Sequence, residues 1–146
     1  MVGYFKNPEA TRAAFTGEWH RTGDLGSMDD DGFVFVAGRL RELIFKGGEN
    51  IAPREIDEAL CTRGDVVEAA AFARPCTTYG ETVEAAVRLR DGATATAEML
   101  IAVCVDRVGT FKAPEKAHIL ADLPKGPSGK SQRLKLADLI GDPSGL

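Results

Sequence analysis

Residues 53–89 read PREIDEALCTRGDVVEAAAFARPCTTYGETVEAAVRL, and the fold turns on them. Pro53 suits the first turn of a helix, where a missing N–H costs nothing, and Ile56, Ala59 and Leu60 follow on one face at spacings of three and four. Arg63–Gly64 marks the expected helix end. Val66–Ala73 and Val83–Leu89 are rich in Val and Ala and are separated by a turn over Pro75–Glu81, which predicts two strands at the centre of a small sheet. Upstream, Glu42–Phe45 and Asn50–Ala52 predict a second extended pair, joined by Lys46-Gly47-Gly48-Glu49, whose glycines permit a tight reversal and leave room for a ligand. Downstream, Thr94 or Thr96 caps a helix that aligns Leu100, Val103, Cys104 and Val108. Lys116–Ala121 predicts a strand, and Ser131–Ile140 a short closing helix with Leu134, Ala137 and Leu139 or Ile140 as its apolar positions. The expected class is α+β, a small mixed sheet with packed helices.

The N-terminal region differs. Trp19–Gly26, the acidic turn Asp29–Gly32 and Phe33–Gly38 predict a strand, turn and strand hairpin, while Met1–Thr11 has no core of its own. The opening reads as the middle of a longer chain.

A length of 146 residues suits one domain, or a small domain with an appendage, and 44% hydrophobic with 27% charged residues is a globular composition. No apolar run approaches the roughly 18 residues of a membrane helix, so no membrane span is expected. Cys61, Cys76 and Cys104 are odd in number and lack a CxxC pair, which argues for reduced thiols in a cytoplasmic protein and against a zinc ribbon; no metal site is expected on this chain. The net charge of −4 argues against nucleic-acid binding. Leu123–Leu136 inverts that balance, with Lys125, Lys130, Arg133 and Lys135 and no acid, which suits a small anionic ligand or a solvated surface loop.

His20 and His118 lie in separate segments and build no catalytic triad. The stretch Gly126–Ser131 fails as a phosphate-binding P-loop because Pro124 stands where that motif needs glycine. A lysine on a turn of glycine and serine can still deliver charge to an anionic transition state. Asp24, in Thr22-Gly23-Asp24, can accept hydrogen bonds from a vicinal diol or serve only as a turn residue. Arg39, in Gly38-Arg39-Leu40-Arg41-Glu42, can hold phosphate or sugar, or pair with a nearby acid.

Taken in order, GYFKNPEAT (3–11), WHRTGDLG (19–26), DGFVFVAGRLRELI (31–44), KGGENIAPREI (46–56), YGE (79–81), FKAP (111–114) and LPKGPSGKSQRL (123–134) resemble the C-terminal part of the adenylate-forming enzymes: acyl-CoA synthetases, peptide-synthetase adenylation domains and luciferases. KGGENI looks most like the acyl-CoA synthetases. The resemblance implies residues 1–40 as a remnant of the large adenylation domain and 41–146 as a mobile lid. It implies an ATP-dependent, AMP-forming carboxylic acid to CoA ligation, with magnesium bound mainly by the missing N-terminal domain that is the lid's partner. By resemblance, Lys130 is catalytic in adenylation, Asp24 and Arg39 bind the nucleotide, and Arg41 stands at the hinge, where Lys or Asp is usual. Gly47, Gly48 and Glu49 line the pantetheine passage, Tyr79 and Phe111 meet the CoA adenine, and Lys112 and Lys116 meet its phosphates. The expectation is an inactive fragment of such a ligase. A stand-alone module that binds nucleotide, CoA or protein, and an enzyme that loads a carrier protein, are the alternatives.

Overall fold

The computed structural model describes residues 1–141; the final part of the expected lid, residues 142–146, lies outside the described residues. The chain divides into two compact units, Met1–Arg41 and Glu42–Leu146, and the division falls inside a single 3-10 turn, Leu40–Glu42.

The first unit opens with α1 (Pro8–Ala13), a helix absent from the sequence expectation. Its signal is local: Asn7 caps it by accepting the Ala10 N–H at 3.0 Å, and Pro8 begins the first turn. β1 (Phe15–Thr16) and β2 (Trp19–His20) then pair with each other. This corrects the expected hairpin, which had Trp19 on the strand leading into the acidic turn. Closing across Gly17–Glu18 needs a far shorter loop, and the Phe15 and His20 rings meet edge to face at 5.2 Å. The hairpin proper joins β3 (Asp24–Met28) to β4 (Val34–Arg39). Asp29 closes its turn by accepting the N–H groups of Asp31 and Phe33. A side chain at Gly26 would meet the Phe35 carbonyl oxygen at 2.6 Å, so the bulge there admits only glycine. No residue of this unit is buried.

The second unit has a full core. β5 (Ile44–Lys46) and β6 (Glu49–Ile51) form the expected pair across Gly47–Gly48. α2 (Pro53–Cys61) buries Pro53, Ile56, Ala59 and Leu60. β7 (Val66–Cys76) and β8 (Gly80–Leu89) are longer than predicted, with ladder pairs from Val66–Leu89 to Cys76–Gly80. The predicted turn over Pro75–Glu81 therefore shrinks to residues 77–79. Pro75 lies in the ladder opposite Glu81, tolerated because β7 is an edge strand. α3 (Ala97–Val108) is capped by Thr96 and buries Leu100 and Cys104. β9 (Lys116–Ile119) runs parallel to β8, ending two residues short of the expected Ala121. The sheet order is β6-β5-β8-β7, with β9 also on β8.

Strand alternation sorts the core into two faces. Ala71, Val83, Ala85 and Val87 pack with Ile56, Leu60, Leu100 and Cys104 of the helices. Ala70, Phe72 and Ala86 pack on the other face with Leu123 and Leu136. The closing segment is a 3-10 turn, Arg133–Lys135, followed by α4 (Leu136–Ile140). Leu136 is its fully buried residue, whereas Leu134 and Leu139 are 62% and 63% exposed, contrary to the expected apolar face. The 3-10 turn shifts the rotation of the residues that follow, so a single helical period over 131–140 misplaces the face. The α+β expectation holds. No helix of the described residues is long and apolar enough to cross a membrane.

Candidate functional site

The predicted site residues fall into three groups. In the first unit, Asp24 and Arg39 stand opposite each other in the β3–β4 ladder, and Arg39 Nε lies 3.2 Å from Asp24 Oδ1. The Asp24 N–H donates to Thr22 Oγ1 at 3.1 Å, which fixes the turn that presents the carboxylate. Both side chains remain partly open to solvent, at 45% and 35%. Arg41, exposed, is the last residue before the boundary between the units.

The second group forms at the tip of the β7–β8 hairpin. Gly47 donates its N–H to the Tyr79 carbonyl at 3.0 Å, and Glu81 accepts the Phe45 N–H at 2.7 Å, so the glycine turn is tied to the hairpin tip. Tyr79 and Phe111 meet edge to face, their centroids 6.4 Å apart, and both rings are exposed. Gly47 has φ +56°, and a Cβ there would stand 3.3 Å from Tyr79 and 3.5 Å from Phe111. Absence of a side chain is thus what lets the turn lie against both rings. Gly48 and Glu49 complete the turn and are exposed. Lys112 faces α2, where its ammonium bonds both Glu55 oxygens at 3.1 and 2.8 Å.

Lys46 was not among the sequence-derived candidates. Its side chain is buried, with Nζ 5.7 Å from the Tyr79 centroid, 5.2 Å from the Phe111 centroid and 3.4 Å from a Glu115 carboxylate oxygen. A cation held by two ring faces stiffens that aromatic pair.

The third group surrounds Lys130. Its loop closes through the Gln132 N–H to the Pro124 carbonyl at 2.7 Å and the Gly126 N–H to the Lys130 carbonyl at 2.8 Å. Lys130 is exposed and its ammonium has no bonding partner among the described residues. Of the four bases that make Leu123–Leu136 cationic, two are neutralised internally. Lys125 pairs with Glu68 at 3.0 Å, and Arg133 pairs with Asp57 at 2.6 Å and Glu42 at 3.3 Å while also donating to the Ala71 carbonyl. The positive field is accordingly narrower than the sequence count implies.

The Asp57 and Glu68 carboxyls are shifted in opposite directions. Burial raises the Asp57 carboxyl above 3.8, and the Arg133 guanidinium offsets this only partly. Burial acts the same way on Glu68, but the Ser131 hydroxyl and the Lys125 and Arg88 cations outweigh it and hold that carboxyl below 4.5. Sequence reading missed Glu68, Asp57 and Glu84, whose burial depends on what folds over them. Glu84, 2% exposed, accepts from Arg74 at 3.0 and 3.1 Å and lies 2.8 Å from His118 Nε2.

The second and third groups lie at opposite ends of the sheet. The aromatic pair stands at the tip, where Cys76 pairs with Gly80, whereas the lysine loop rests on Glu68, which pairs with Arg88. Eight residue-to-residue steps along extended β7 separate those two points, a distance of about 26 Å at roughly 3.3 Å per step.

The sequence profile of the AMP-binding enzyme C-terminal domain matches residues 55–130, from α2 to the exposed lysine. The chain belongs to this family. Relatives similar to this chain are named as CoA ligases. A sulfoacetate–CoA ligase of Cupriavidus necator is 52% identical over 93% of this chain and 27% of its own length. An oxalate–CoA ligase of Arabidopsis thaliana is 45% identical over 90% of this chain and 26% of its own. The chain therefore spans about a quarter of the length of the curated relatives it matches. Among solved structures, the o-succinylbenzoate CoA synthetase of Bacillus subtilis, in complex with its acyl-adenylate intermediate, superposes with TM-score 0.87 at 34% identity, covering 93% of this chain and 28% of that one.

Proposed function

We propose that the chain supplies the C-terminal lid of an ATP-dependent carboxylic acid:CoA ligase that forms an acyl-adenylate and then a thioester. The observation that carries this reading is the placement of an exposed lysine, without a bonding partner among the described residues, and a glycine–aromatic surface at opposite ends of one sheet. A body so built presents one end or the other to a single reaction centre, and turning about Arg41 exchanges them. Two ends suit two successive steps.

In the first step a carboxylate oxygen attacks the α-phosphorus of ATP, the acyl–phosphate bond forms and pyrophosphate leaves. Negative charge concentrates between the two anions, and Lys130, desolvated on closure, meets it. Asp24 accepts the ribose hydroxyls, its carboxylate oriented by Arg39. In the second step the CoA sulfur attacks the acyl carbon and AMP departs. The turn Gly47, Gly48 and Glu49 borders the pantetheine passage, and Tyr79 with Phe111 offers faces to the CoA adenine. Lys112 and Lys116, which follow Phe111 in sequence, address the CoA phosphates in this reading, Lys112 doing so by exchanging Glu55 for phosphate. Among the described residues no group of three or more His, Cys, Asp or Glu is placed to hold a metal ion; in this reading magnesium is bound mainly by the adenylation domain. The partner is an adenylation domain that holds ATP and the acid. In this reading the chain alone does not carry out the ligation.

The test separates the two ends. In the full-length protein, Lys130→Ala lowers adenylation, read as ATP–pyrophosphate exchange, by on the order of 100- to 1000-fold, while thioester formation from supplied acyl-adenylate persists. Tyr79→Ala with Phe111→Ala does the reverse, raising the KM for CoA. Adenylation that survives Lys130→Ala overturns the reading.

A further inference from the structure

We propose that Glu68 is the positioning residue of Lys130, a role that rests on the reading of Lys130 given above. Glu68 lies on β7 with its side chain 24% exposed, and it reaches both flanks of the lysine loop. Its Oε1 accepts the Ser131 hydroxyl at 2.6 Å, one residue after Lys130, and its Oε2 lies 3.0 Å from the Lys125 ammonium on the other flank. Arg88 Nε, on β8, stands 3.9 Å from the same carboxylate and 3.5 Å from Asp122, so the clamp is braced by the sheet behind it.

Without that clamp the loop has little to hold it. Between its flanks lie Gly126, Pro127, Ser128 and Gly129, and among the described residues the main-chain bonds of the loop join it to itself: Gln132 to Pro124, Gly126 to Lys130 and Gly129 to Gly126. Such bonds keep the loop closed but do not aim it. A glycine-containing segment retains much conformational freedom, whereas a catalytic charge must be held to within about 0.5 Å of its productive position. Glu68 ties the closed loop to the most extensively paired strands of the domain. The segment beyond the loop has its own anchor in Arg133, bound to Asp57, Glu42 and the Ala71 carbonyl. Losing Glu68 therefore frees the loop while leaving the domain folded. Both contacting partners, Lys125 and Ser131, belong to the cationic stretch, so the residues flanking the catalytic lysine are spent on orientation rather than on ligand.

The experiment compares Glu68→Ala, Glu68→Gln and Lys130→Ala in the full-length protein, reading both half-reactions, and follows amide exchange in this chain. Glu68→Ala is expected to lower the kcat of adenylation by on the order of 10- to 100-fold, with the KM for ATP within about twofold and thioester formation from supplied acyl-adenylate unchanged. Exchange at Gly126 and Gln132 rises about tenfold while β7 and β8 stay protected. Glu68→Gln, which keeps an acceptor for Ser131, recovers a substantial part of the rate. Full adenylation in Glu68→Ala beside a dead Lys130→Ala overturns the role of Glu68 alone. Loss of both half-reactions together with protection across β7 and β8 also overturns it, since Glu68 is then merely structural. Adenylation intact in Lys130→Ala sinks the reading of the site and the positioning role with it, whatever the loop amides show.

Discussion

Cys104 shows how a residue's surroundings set its chemistry. It is fully buried against Ile56, Leu60 and Leu100, and burial, with a smaller contribution from the Asp57 charge, pushes its thiol up to about 11. The thiolate is the reactive species, so at pH 8 Cys104 is almost wholly protonated as well as shielded. A brief iodoacetamide pulse on the native protein, read by mass spectrometry, is expected to leave Cys104 unmodified and to label it fully once denaturant is added. Native labelling of Cys104 at the denatured rate contradicts its burial. His118 makes a related point: a histidine in an apolar strand is no triad member, but it is placed, by the pairing of Ala86 with His118, beside buried Glu84 and Arg74. Arg74 also donates to the Ala137 carbonyl at 2.9 Å, which couples that buried charge cluster to α4.

At the scale of elements, α4 is where local pattern and tertiary packing diverge. Leu136 and Leu139 are both leucines in the same five-residue helix, yet the first is fully buried with Ala70, Phe72, Ala86 and Leu123 and the second is 63% exposed. Leu136→Ala is expected to destabilise the chain by about 2–5 kcal/mol in urea unfolding. Leu139→Ala is expected to change stability by less than about 0.5 kcal/mol. Equal effects contradict the assigned face. The β5–β6 pair is the opposite case. Its two glycines and alternating apolar residues state the turn and the strands locally, and the structure repeats them with Ile44 opposite Ile51. α2 and α3 behave likewise, since Pro53, Thr96 and the three-four spacing act within a few residues.

For the whole molecule, the two units differ in what holds them. Every fully buried apolar residue belongs to Glu42–Leu146, while the β3–β4 hairpin exposes Met28, Phe33, Val34, Phe35 and Val36. Amides of β7 and β8 in this chain are expected to exchange only on global unfolding, and those of β3 and β4 at least about 100-fold faster. Uniform protection across both, measured by hydrogen exchange, contradicts the burial pattern. The exposed apolar surface of the first unit supports the proposal of a partner domain, since a two-stranded ribbon alone leaves that surface uncovered.

Turns, caps and helix starts are legible in the order of the residues, and Asp24, Arg39, Gly47 and Lys130 stand out there as candidates because each lies in a short motif whose chemistry is local, whereas Tyr79 and Phe111 are singled out only by the family resemblance. Folding alone decides which charges remain available. Arg133 and Lys125 look as free as Lys130 in the linear chain, but Arg133 meets Asp57 across 76 positions and Glu42 across 91, and Lys125 meets Glu68 from the neighbouring strand. Pro75 enters a strand only because that strand is an edge, and Leu136 rather than Leu139 reaches the core only because a 3-10 turn precedes it. The physical reason is common to all of these. Backbone preference acts over a few residues, whereas burial and Coulomb pairing depend on distance in space, which the order of amino acids does not state.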